Sequence, residues 1–157
     1  MRAIVFQNSN LHSTKLSLFC LKFNPMAAIT LTIKDETSAG ATTNEVAVSF
    51  DSELSTVKDI IRNRVLAEVT LYNNKLPEYF KGLVQPGEAE RTLNGYKLKA
   101  RARVDPEKQL AAAFKAFENN GFFILIDNIQ STGLEQMVVI TSATRISFIK
   151  LTQLVGG

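Results

Sequence analysis

The chain has 157 residues, 45% of them hydrophobic and 21% charged, with a formal net charge of +3, which fits one domain with a substantial core. The excess charge is local: residues 1–25 hold Arg2, Lys15 and Lys22 and no acid, leaving 15 basic against 15 acidic side chains in the remainder and excluding a nucleic-acid reading built on bulk charge. The only histidine, His12, and the only cysteine, Cys20, also lie there, so residues 26–157 lack the imidazole and thiol that Ser-His and Cys-His schemes and the usual zinc sets require.

Residues 1–25 are read apart from the fold. Their apolar run from Leu16 to Leu21 is interrupted at Lys22 and is too short to span a bilayer. No small-residue cleavage site follows. The segment is expected to be a disordered leader or an over-called start, with Met26 opening the domain. A transit peptide is the alternative.

From Ile29 to Ile33 apolar and polar residues alternate, as in a strand with one face on a core. Lys34 to Asn44 is rich in turn formers, and Glu45 to Phe50 alternates again, so a β-hairpin with a long loop is predicted. Thr56 with Asp59 three residues on gives a capping-box start to a first helix. On it Val57, Ile60, Ile61, Val65, Val69 and Tyr72 form the buried stripe, Lys58, Arg62 and Arg64 face water, and Asn73-Asn74 ends the helix.

The stretch from Lys75 to Val104 is punctuated by Pro77, Gly82, Pro86, Gly87 and Gly95 and reads as part of an insertion at about 73–120. Within it Lys97, Lys99, Arg101 and Arg103 line one side of an extended chain. No aromatic residue interleaves them as a base-stacking platform would need, so a solvated edge is the expectation. A second helix opens on Asp105 and Pro106, closes at Asn120-Gly121, and presents Leu110, Ala113, Phe114 and Phe117. Phe122 to Ile126 is continuously apolar and predicts a central strand buried on both faces or nearly so. Asp127-Asn128 turns the chain into a short strand at Ile129-Gln130. A further apolar segment spans Leu134 to Ile140, and a terminal strand runs from Ile146 to Leu151 before the tail Thr152, Gln153, Leu154, Val155, Gly156, Gly157.

Neither a phosphate-binding G-x-x-x-x-G-K-[ST] loop nor a G-x-G-x-x-G occurs. Asp51 with Glu53, or Asp127 with Glu135, could form carboxylate pairs, but acids beside turns and caps are ordinary surface features. No catalytic or metal-ligating set is expected, and the chain does not read as an enzyme.

The order of elements resembles the β-grasp fold of ubiquitin-like proteins and of sulfur carriers of the ThiS and MoaD kind. The resemblance rests on the helix start from Thr56 to Ile61, the turn from Ile126 to Gln130, and the run from Phe148 to Gly157. It covers Ile29 to Tyr72 and Phe122 to Gly157. It departs in the insertion, and in Gln153 and Val155 where ubiquitin carries arginines, which leans toward prokaryotic relatives. The fold it implies is α+β, a mixed β-grasp sheet around a grasped helix, with the inserted segment and second helix added.

The resemblance implies a cytoplasmic modifier. Its Gly157 carboxylate would be adenylated by an E1-like adenylating enzyme, with Gly156 as the slim approach, and passed to amines of target proteins. E2-like and JAB-type peptidase partners are implied too, with no nucleic acid and no membrane. The ATP belongs to the activating partner, and this chain binds no cofactor. The partner-binding residues implied are Leu125, Ile149 and Leu151 on the sheet and Gln153, Leu154 and Val155 on the tail. Two alternatives stay open: a sulfur carrier forming a terminal thiocarboxylate, and a β-grasp binding module that is never activated.

Overall fold

The computed structural model describes residues 28–99 and 102–151. Its elements are β1 (Ile29–Glu36), β2 (Thr42–Phe50), β3 (Leu54–Thr56), α1 (Val57–Lys75), β4 (Tyr79–Phe80), β5 (Glu90–Thr92), β6 (Gly95–Lys97), α2 (Pro106–Glu118), β7 (Phe122–Ile126), β8 (Ile129–Gln130), β9 (Met137–Val139) and β10 (Ile146–Lys150). The architecture is α+β with a mixed sheet. Its five-stranded sheet has the order β2-β1-β10-β7-β8, in which only the β1–β10 pair is parallel. A ribbon of β3 and β9 and a small sheet ordered β4-β6-β5 complete it. Among the described residues no helix is long and apolar enough to cross a membrane.

Alternation decides which sheet face is covered. Leu31 and Ile33 of β1, Val48 and Phe50 of β2, Ile146 and Phe148 of β10 and Phe122 and Ile124 of β7 point inward, where α1 supplies Val57, Ile60, Ile61, Val65 and Val69 and α2 supplies Leu110 and Ala113. The start of α1 is doubly secured. Thr56 Oγ1 accepts from the Asp59 amide at 3.1 Å, and Asp59 Oδ2 accepts from the Thr56 amide at 3.1 Å. The next amides, of Val57 and Lys58, donate to the carbonyls of Gln136 and Leu134 at 3.0 and 2.9 Å. Four donors that a helix N-terminus leaves open therefore find acceptors within the fold. Asp105 caps α2 in the expected way, accepting from Glu107 and Lys108, with Pro106 at the first turn.

Several expectations are corrected. The β1–β2 loop is short, Thr37 to Ala41, because Lys34 and Asp35 continue the strand and Asn44 and Glu45 already pair with them. Gly40, at φ 81°, serves the turn. Arg64 does not face water but is fully buried. In β7 the burial is uneven between the two sides: Phe122 and Ile124 are covered, while Phe123 and Leu125 are half-buried on the outer face. Helix α1 runs past Asn73-Asn74 to Lys75 and stops at Leu76 in the left-handed region, φ 43°. Asn73 instead ties the chain together, its side chain donating to the Val104 carbonyl and accepting from the Val104 amide, both at 2.8 Å.

The stretch unreadable in sequence is an ordered annex. Phe80 and Leu83 dock it in the main core, Phe80 edge-on to Tyr72 with ring centroids 5.2 Å apart. Of the basic ribbon, only Lys97 lies in a strand, paired with Glu78 at 3.3 Å, and Arg101 is outside the described residues.

Candidate functional site

β10 lies between β1 and β7, with a neighbour on each side, and its residues alternate between the core and the outer face. Phe148 and Lys150 point inward, and Ser147 and Ile149 outward. The inward Lys150 reaches a cluster of buried charges. Arg64 Nη2 lies 2.9 Å from Asp35 Oδ2, and Arg64 Nε lies 2.5 Å from Glu68 Oε1. All three residues are at most 5% exposed. Glu68 Oε2 accepts from the Leu83 amide at 2.8 Å, Asn44 donates to Asp35 at 3.3 Å, and Lys150 Nζ donates to the Gly82 carbonyl at 3.0 Å while standing 3.9 Å from Asp35. The guanidinium of Arg64 also lies 5.7 Å from the centre of the Phe148 ring.

Removing such groups from water costs several kcal/mol per ion in general, and their mutual attraction roughly offsets it. The cluster therefore fixes geometry more than it adds stability. It joins β1, α1, the annex and the end of β10, four pieces far apart in sequence. Burial pushes the Glu68 carboxyl up, against the pull of Arg64. Burial likewise holds the Lys150 ammonium below the usual lysine range, opposed by Asp35. Above the cluster opens a cleft of about 460 Å³ between the β1–β2 hairpin, the annex and Lys150.

The other face of β10 carries the sheet residues expected to meet partners. Register places Ile149 opposite Phe123 and Ser147 opposite Leu125, and Leu125 opposite Gln130. Leu151, just past the strand, is 46% exposed. Ile149 and Leu125 thus share the outer face, where an apolar half over β10 and β7 adjoins a polar half over β1 and β2 with Thr30 and Ser49 hydroxyls 3.0 Å apart. Gln153, Leu154, Val155, Gly156 and Gly157 lie outside the described residues.

Sequence reasoning missed three features. Phe123 belongs to the outer apolar half and was hidden in a continuously apolar run whose two faces look alike in sequence. Leu54, Met137 and Val139 expose a second apolar surface on the β3–β9 ribbon, with Leu54 directly opposite Val139. The buried charges did leave a signal, since Arg64 and Glu68 stand four residues apart within the stripe that Ile60, Ile61, Val65 and Val69 define. Of the acids suggested as pairs, Asp127 accepts from the Arg145 amide at 2.8 Å and Glu135 faces Lys58 at 3.6 Å, so each has its own partner. Among the described residues no group of His, Cys, Asp and Glu could hold a metal ion.

Set against protein-family models, curated proteins and solved structures, the chain gives no match in any of the three comparisons.

Proposed function

We propose that this chain is a β-grasp, ubiquitin-like modifier whose Gly157 carboxylate, once it is the free terminus, is adenylated by an E1-like enzyme and transferred to amines of target proteins. The observation that carries the reading is the position of β10. Its parallel pairing with β1 and antiparallel pairing with β7 hold the strand in the middle of the sheet, with α1 packed across the inner face. A strand secured on both sides is a firm base for a chain end that another protein must grip. Six residues follow Leu151, and a fully extended segment of that length spans about 20 Å. A partner resting on Phe123, Leu125 and Ile149 can thus hold the domain while a separate slot receives the tail.

The chemistry asked of the partner is simple. A carboxylate acylates poorly, so ATP must first convert it to an acyl-adenylate, with pyrophosphate leaving. The carbonyl then goes to a cysteine and on to a lysine amine, with AMP leaving at the first transfer. In the carrier reading a sulfide-level donor attacks the adenylate instead, AMP leaves, and the sulfur stays on Gly157 as a thiocarboxylate. Mass spectrometry of the protein from its native cells separates them. A remnant of residues 151–157 on target lysines, left by tryptic cleavage after Lys150, is the expected result, sulfur replacing oxygen at Gly157 selects the carrier, and neither form, with the cognate adenylating enzyme and ATP supplied, leaves an unactivated binding module.

A further inference from the structure

The cleft above the charge cluster is bordered by cations from three separate parts of the chain: Lys81 follows β4, Arg91 lies in β5 and Lys150 ends β10. The nearby carboxylates, Asp35 and Glu68, are both engaged by Arg64. With Arg64 included, four cations meet two carboxylates, and among the described residues neither Lys81 nor Arg91 forms an ion pair.

Two observations set this apart from a solvated surface. Lys150 is fixed by the Gly82 carbonyl, and Gly82 lies so tightly under the Phe80 ring that a Cβ there would overlap it. Burial lowers the Lys150 ammonium below its usual range, with Asp35 and Glu68 opposing and the smaller repulsions of Arg64 and Arg91 assisting. Tyr96, across the β5–β6 pair from Arg91, lines the same space, and burial pushes its hydroxyl up so that it remains a donor at neutral pH. The volume of about 460 Å³ lies within the usual range of small-molecule sites.

We propose that this cleft binds a small multivalent oxyanion, a phosphate- or carboxylate-bearing compound, through Lys81, Arg91 and Lys150 with the Tyr96 hydroxyl as a further donor. The assignment is independent of the fate of Gly157.

Inorganic pyrophosphate titrated into the full chain at low ionic strength, followed by calorimetry and amide NMR shifts, should bind saturably, with the shifts centred on Gly82, Arg91, Tyr96 and Lys150. Lys81→Ala and Arg91→Ala change exposed residues, so Tm should hold while binding weakens about tenfold for each lost charge-assisted contact. Lys108→Ala and Lys115→Ala, exposed on α2, should leave it unchanged. No saturation below about 10 mM, or equal weakening by the α2 variants, overturns the proposal. An oligoglutamate peptide serves as the second probe. Pyrophosphate binding with or without the peptide supports the small oxyanion, whereas peptide binding without pyrophosphate makes the cleft a protein-docking surface and overturns the assignment.

Discussion

Arg64 occupies a position where the stripe of α1 calls for a hydrocarbon, and it is buried only because Asp35 and Glu68 are buried with it. Its removal strands two carboxylates out of water, which is far more costly than losing the pair as a whole. Arg64→Ala is expected to destabilise the fold by about 3–5 kcal/mol, read as a lower urea midpoint. Arg64→Lys should rescue little, since the three donors of an ammonium radiate from one compact point and do not reproduce the fixed fork by which the guanidinium reaches Asp35 through Nη2 and Glu68 through Nε. A midpoint within experimental error of the parent would mean that the cluster is solvated in solution. The same residue marks a limit of sequence reading. Arg64 follows the stripe's spacing but not its chemistry, and its partner Asp35 stands 29 residues away in a stretch that looks like a turn.

At the scale of elements, α1 depends on its first turn. Thr56→Ala removes an N-cap and should cost about 1 kcal/mol in chemical denaturation. The Thr56 hydroxyl is also the main reason that the Asp59 carboxyl lies below its ordinary value, with burial opposing and Arg62 assisting. Asp59 therefore favours the ionised form when folded. Its contribution is present above the unfolded pKa and is lost as pH falls through the lower folded value. In the Thr56→Ala variant the Asp59 titration, followed by NMR, should move up toward the ordinary aspartate range, and the stability gap between the two proteins should shrink in acid. A gap constant down to the acid limit would show that Asp59 does not read the cap.

Elements with strong local chemistry were legible: both helix caps, the alternating parts of β1, β2 and β10, and the turn at Asp127-Asn128, whose φ angles of 49° and 67° suit those residues. Where tertiary partners override local preference, sequence failed. The hairpin loop looked long because Asp35 and Asn44 are turn formers, yet Asn44 donates to Asp35 within the paired strands. The annex strands are two or three residues each, too short for a period to be visible. They are held by Phe80 and Leu83 in a core whose other walls lie elsewhere in the chain.

For the whole molecule, the sheet separates two tasks between its faces. The inner face carries the core, which ends at the charge cluster and Lys150, while the outer face keeps Phe123, Leu125 and Ile149 half-exposed beside Leu151. The faces of Ile149 and Phe148 were legible because alternation in a short strand leaves only two choices and Phe148 could be assigned to the core. The tail chemistry rests on different grounds. Under the proposed function Gly156 must pass through a narrow slot, and any side chain there adds a Cβ and restricts φ. The substitution lies six residues beyond Lys150, the last residue of β10, so the domain should not register it. Gly156→Ala and deletion of Gly157 are each expected to leave Tm and the amide NMR spectrum of residues 28–151 unchanged while abolishing formation of the acyl-adenylate, measured as ATP–pyrophosphate exchange with the cognate adenylating enzyme. Exchange at the parental rate in both variants would remove the diglycine from the mechanism, and with it the modifier and the carrier alike.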